Sequence, residues 1–106
     1  MSTTYTAFSY EPDDAQLPMK SATVTKKLIL IEWEEGNDLA SLRATSTDGA
    51  LYEGTYTYRG YPDDIYHVHL GLYRGPNGMM VLFGDWWRVP EDSRQPWLIQ
   101  LFPKAE

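Results

Sequence analysis

Two stretches decide the fold: Tyr52-Glu53-Gly54-Thr55-Tyr56-Thr57-Tyr58 and Leu82-Phe83-Gly84-Asp85-Trp86-Trp87. Each sets a glycine in the middle of a strand-like run, flanked by aromatic or large apolar residues. A glycine there weakens a flat strand, so it marks a bend, a bulge or the close approach of another group. Repeated in neighbouring strands, it predicts a sheet that curls toward a barrel.

Period-two alternation continues on either side. In Leu51–Arg59, residues Tyr52, Gly54, Tyr56 and Tyr58 share one face, and Glu53, Thr55, Thr57 and Arg59 the other. In Ile65–Tyr73 the apolar face is Tyr66, Val68, Leu70 and Leu72, with His67, His69 and Gly71 opposite. Pro96–Phe102 puts Trp97, Ile99 and Leu101 on one side. Two runs, Leu28–Ile31 in the middle of the strand Lys27–Trp33, and Met79–Trp87, are apolar on both faces, which predicts cover on both sides. Residues 38–47 read as a strand or as a short helix capped by Asp38, and the alternation of Ser41–Thr45 favours the strand.

Turn signals separate these runs. They are Gly36-Asn37, Asp48-Gly49 as a two-residue type I′ hairpin, Gly60–Asp64 around Pro62, Gly75-Pro76-Asn77-Gly78, and the polar stretch Val89–Gln95. Thr3–Tyr10 reads equally as an edge strand or an arm, and 11–20 as a loop broken by Pro12 and Pro18. The fold class that follows is all-β, a small antiparallel meander barrel of about six to eight strands, closed or partly open. Residues 1–21 are the arm or edge strand plus loop, and 22–106 a single barrel domain.

Composition narrows the function. A chain of 106 residues with 14% aromatics, four Trp and eight Tyr among them, has material for one core and is not a disordered segment. A net charge of −6 argues against nucleic acid and against anionic membrane surfaces as partners. The absence of cysteine excludes disulfides, thiolate metal sites and a cysteine nucleophile. Met1–Tyr10 lacks the basic and apolar regions of a signal peptide, and no apolar run approaches the ~20 residues of a membrane helix, so a soluble cytoplasmic protein is expected.

Signals for chemistry are few. His67 and His69, the only histidines, point the same way from one strand and are weak metal candidates. A third ligand would have to come from Asp85 or Glu53, and two ordinary strand histidines are the favoured reading. The carboxylate pairs Asp13-Asp14, Glu34-Glu35, Asp63-Asp64 and Glu91-Asp92 read as solvated turn residues. Gly-x-Ser-x-Gly, the phosphate-binding glycine loops and the dinucleotide fingerprint are missing. No catalytic residue and no cofactor are therefore assigned, and an enzyme is disfavoured.

The aromatic faces are the better lead. Tyr52, Tyr56, Tyr58, Trp86 and Trp97 are the candidate ligand-binding residues, because tyrosine hydroxyls turned into a barrel need partners. The alternative is an ordinary solid core whose hydroxyls reach backbone carbonyls. Met79, Val81 and Phe83, or Leu28 and Leu30, would form an outward apolar stripe, which predicts a homodimer unless the N-terminal arm or a short helix covers it. Trp87, adjacent to Trp86, must face the other way, as a partner anchor or under the 89–95 loop.

The runs Tyr52-Glu53-Gly54-Thr55-Tyr56, Leu82-Phe83-Gly84-Asp85-Trp86 and Trp97-Leu98-Ile99-Gln100-Leu101, with their tight hairpins, resemble small up-and-down barrels of the lipocalin and avidin kind across residues 22–102. The Gly-x-Trp of lipocalins lies near their first strand, whereas Gly84-Asp85-Trp86 comes late, and no ligand or binding residue carries over. The resemblance implies a cup-shaped interior for a small apolar molecule. The expected function is thus non-enzymatic binding of a small apolar or aromatic ligand. The alternatives are an acidic interaction module of inhibitor or immunity type, and a small metal-dependent enzyme using His67 and His69.

Overall fold

The alternation is realised strand by strand in the computed structural model, which describes residues 3–10, 16–88 and 93–104. Nine strands follow one another: β1 (Thr3–Tyr10), β2 (Leu17–Pro18), β3 (Ser21–Val24), β4 (Leu28–Glu35), β5 (Asp38–Thr45), β6 (Leu51–Tyr58), β7 (Tyr61–Arg74), β8 (Met80–Arg88) and β9 (Gln95–Pro103). From β3 to β9 each strand pairs with the next, antiparallel, and β9 pairs with β1 over Tyr5↔Pro103 to Tyr10↔Leu98. The other edge of β1 meets β3 at Thr4↔Thr23 and the short β2 at Phe8↔Pro18. The result is a closed, antiparallel, eight-stranded β-barrel with β2 as one extra strand.

Strand β1 therefore has partners on both edges and is part of the barrel wall, not an arm. Between its two pairings it advances four residues, Thr4 to Phe8, while its partner advances five, Thr23 to Pro18. The extra residue is a bulge around Met19 and Lys20, where the Met19 N–H still donates to the Ala7 carbonyl at 2.8 Å. Residues 38–45 are strand, and the Asp38 carboxylate caps no helix. It accepts the Gly60 N–H at 3.0 and 3.1 Å, which ties the start of β5 to the β6–β7 turn.

Two turns depart from the sequence reading. The predicted Gly60–Asp64 turn shortens to Arg59-Gly60, and β7 begins at Tyr61. Tyr58 pairs with Tyr61 while Tyr56 pairs with Tyr66, so Pro62 to Ile65 are accommodated in a bulge, where proline's missing donor costs no ladder bond. Asp48-Gly49 is not a two-residue hairpin. Only Gly49 has positive φ (76°), and the loop from Ser46 to Ala50 is organised by the Asp48 carboxylate, which accepts the Ala50 N–H at 2.8 Å and the Leu51 N–H at 3.1 Å.

All eight barrel strands contribute inward residues. Aliphatic side chains fill most of the interior: Val24, Ile29, Ile31, Leu42, Leu70, Leu82, Ile99 and Leu101 are buried. Small residues, Ala7, Ala22, Ala40 and Ala44, alternate with them and leave room across the narrow lumen. Two of the strand glycines, Gly54 and Gly84, stand where neighbouring backbones press closest. A Cβ on Gly54 would strike the Arg43 carbonyl of β5, and one on Gly84 the His69 carbonyl of β7. The outward faces of β4 and β8 are not covered: Leu30 and Phe83 are 42% and 48% exposed. Among the described residues no helix is long and apolar enough to cross a membrane.

Gly54→Ala and Gly84→Ala each lose about 3 kcal/mol of unfolding free energy, because backbone rather than a flexible side chain must move aside. Gly36→Ala, at positive φ (62°) but with open space around it, loses only about 1 kcal/mol. Urea titrations of the three variants check the order, and equal losses would refute the close-approach argument.

The Asp48 carboxyl is held below its ordinary value, first by the Ala50 N–H, then by the Leu51 N–H and the Ser46 hydroxyl. A carboxyl with a depressed folded pKa adds stability that is complete above the unfolded value and is lost as pH falls through the folded one. The melting-temperature gap between the parent chain and Asp48→Asn is therefore full at neutral pH and narrows as pH falls below the ordinary carboxyl range. Thermal melts across that range measure it.

Candidate functional site

The barrel has two unlike ends. One carries the turns that follow β3, β5 and β7, and the other those that follow β4, β6 and β8. Aromatic residues gather at the second. Trp33 comes from β4, Tyr56 and Tyr58 from β6, Tyr66 from β7, Trp86 from β8 and Trp97 from β9. Register explains the gathering: Tyr56 pairs with Tyr66, Trp33 lies opposite Ala40, and Trp97 lies opposite Gly84. Small or absent side chains opposite the two indoles leave them space in the lumen.

Tyr56 is the hub. Its ring stacks on Tyr66 at 4.8 Å and 7° and meets Trp33 at 5.1 Å and Trp97 at 5.5 Å. Trp86 lies edge-on to it at 6.4 Å. Contacts in this range favour tilted and edge-to-face geometry and add to the area they bury. Trp33, Tyr56 and Trp97 are buried, whereas Tyr58, Tyr66 and Trp86 are half-buried, so the cluster is partly open to solvent.

The polar atoms of the cluster divide into two groups. The Trp33 indole N–H donates to the Glu35 carboxylate at 2.9 Å, and the Tyr58 hydroxyl donates to the same oxygen at 3.1 Å. By contrast, Nε1 of Trp86 and Nε1 of Trp97 are buried without a hydrogen-bond partner among the described residues. A buried donor left so costs about 1–3 kcal/mol, and nearly all buried polar groups in proteins avoid it. Near the same end Arg88 binds Asp64 at 2.8 Å and lies 5.8 Å from the Tyr66 ring, so Asp64 is an ion-pair partner rather than a merely solvated turn residue.

Of the five residues expected to bind a ligand, Tyr56, Tyr58, Trp86 and Trp97 converge here. Tyr52 does not. Its hydroxyl donates to the Thr25 carbonyl at 2.6 Å, in the turn after β3 at the opposite end. Burial pushes its phenol above the ordinary value, with the charge of Arg74 opposing. Trp33 and Tyr66 belong to the cluster and escaped the sequence reading. In the sequence Trp33 is only the end of a β-branched and aromatic strand, and Tyr66 one of four apolar positions on its own.

Outside the barrel, Glu53, His69 and Asp85 lie side by side on β6, β7 and β8, as do Thr55, His67 and Trp87. The two imidazoles are used differently. His69 Nε2 is 3.6 Å from Glu53, while His67 stacks on Trp87 at 5.6 Å and 17°. Asp85 turns to Arg94 at 3.6 Å, whose guanidinium sits 4.0 Å from the Trp87 ring. Among the described residues no three His, Asp or Glu side chains are grouped to hold a metal ion. Trp86 thus faces in and Trp87 out, with Arg94 and His67 against the outer indole. The pairs Asp13-Asp14 and Glu91-Asp92 lie outside the described residues.

No protein-family model matches the chain, and no curated protein or solved structure is significantly similar to it.

Proposed function

We propose that the chain is a non-enzymatic barrel that binds a small apolar or aromatic molecule at its aromatic end, among Tyr58, Tyr66, Trp86 and Trp97. One observation carries the reading. Six aromatic side chains from five strands meet at one mouth, half open to solvent, while the remainder of the lumen is filled mostly by aliphatic residues. Binding sites are mostly apolar with a few placed polar groups, and the residues of this end have that composition. The opposite end, closed by the Tyr52–Thr25 hydrogen bond, has no such cluster.

Titration with a panel of small aromatic compounds, followed by tryptophan fluorescence, gives saturable changes at micromolar concentrations. Tyr66→Ala weakens binding at least about tenfold by removing the stacked partner of Tyr56. Tyr52→Phe, at the other end, leaves it unchanged. A panel that yields no saturable ligand would sink the reading.

The outer face of β8 favours a second property, self-association. Phe83 is flanked by Leu98 of β9 and Gly71 of β7, and Val81 by Gln100 and Tyr73, so the exposed patch of this wall carries no charge. Tyr73 on its border is 60% exposed. Leu28 and Leu30 offer less, because Leu30 sits between Thr23 and Arg43. An uncharged patch on an acidic chain suits a second copy, since two such chains can meet there without placing like charges in contact. Sedimentation velocity gives twice the 12.2 kDa chain mass, and Phe83→Asp returns the single-chain mass. A parent chain sedimenting at 12.2 kDa rules the dimer out.

A further inference from the structure

We infer that the ligand of the aromatic end is a neutral planar aromatic compound bearing a carbonyl-type hydrogen-bond acceptor, and that Trp97 Nε1, with Trp86 Nε1, donates to it. The inference rests on the binding site proposed above and names the chemistry of its occupant.

Three observations carry it. First, Trp97 is 3% exposed, and its indole N–H has no partner among the described residues, as holds for Trp86. The third indole of the cluster shows the ordinary outcome, since Trp33 donates to Glu35. Second, both orphan indoles flank the same ring, Tyr56, at 5.5 and 6.4 Å, so one acceptor group that enters between them comes within reach of both. An indole nitrogen only donates, so the complementary group must accept.

Third, the acceptor is uncharged. The guanidinium of Arg88, close to Tyr66, is held by Asp64 at 2.8 Å, and that of Arg94 lies near Asp85 at 3.6 Å. Glu35 puts a carboxylate among the cluster's polar atoms. A ligand carboxylate would therefore meet an acid and an arginine already paired with Asp64, within a chain of net charge −6. A ketone, amide or ring carbonyl satisfies the indoles without that repulsion.

Three probes share one bicyclic ring and decide the matter by isothermal titration calorimetry: 2-acetylnaphthalene, 2-ethylnaphthalene and 2-naphthoate. The ketone binds at least about tenfold tighter than the ethyl compound, the worth of one buried neutral hydrogen bond. It also binds more tightly than the carboxylate. Trp97→Phe, which keeps an aromatic ring and removes the donor, brings ketone and ethyl compound within about twofold of each other. Trp86→Phe reduces the preference in the same direction. The comparison on the unaltered chain stands even where a variant fails to fold. Equal binding of ketone and ethyl compound overturns the acceptor inference and leaves the binding site standing. Tightest binding of the carboxylate overturns the neutral class. Binding of none of the three overturns the inference and the proposed site together.

Discussion

Everything in this barrel depends on two places where one strand's backbone lies where a neighbour's side chain would otherwise be. At Gly54 the chain of β5 comes within contact of the β6 backbone, and at Gly84 that of β7 comes within contact of β8. Close approach lets a sheet coil more sharply than regular pleating permits, as closure of a small barrel requires. The two glycines stand two strands apart and take up the curvature on either side of β7. Without side chains there, the lumen also gains room, and at Gly84 the residue opposite is Trp97. Curvature and the aromatic end thus share one cause.

How much of this was legible follows from what a period of two records. It gives the face of each side chain, so the inward sets of β6, β7, β8 and β9 were readable, as was the outward stripe of β8. It does not give height along the barrel. Tyr52 and Tyr56 share a face of one strand, yet they serve opposite ends, because height follows from pairing register and register from turn geometry. Turns were the weakest part of the reading. Pro62 suggested a turn where a bulge carries β7 through, and Asp48-Gly49 suggested a minimal hairpin where a side chain organises a longer loop. Asp38 was weighed as a helix cap and instead holds a backbone amide 22 residues on, a contact invisible in local sequence. Tyr66 joins the cluster through its register opposite Tyr56, and Trp33 through the curvature that brings β4 to face β6 and β9.

The aromatic end carries a tension that the aliphatic part of the lumen does not. Ring packing there is close, with centroids 4.8 to 6.4 Å apart, and contributes through area and quadrupole geometry. Inside that packing two indole donors are desolvated without return, whereas Trp33 and Tyr58 share one carboxylate oxygen. An apolar residue such as phenylalanine would fill the same space without the cost. Conformational stability alone therefore does not account for tryptophan at positions 86 and 97.

The pairing of β1 with β9 has a consequence for how the chain acquires its shape. Every other long seam joins strands adjacent in sequence and can form as a local hairpin while the chain is being made. This one joins Tyr5 to Pro103 and Tyr10 to Leu98, so it must wait for the last strand to leave the ribosome. Until then the nascent sheet has two open edges, one on the earliest strand to emerge. Such non-local closure is slow, and an open edge is a template for other chains. The interval between the appearance of β1 and the arrival of β9 is thus when this protein is most vulnerable to aggregation, whatever the stability of the finished barrel.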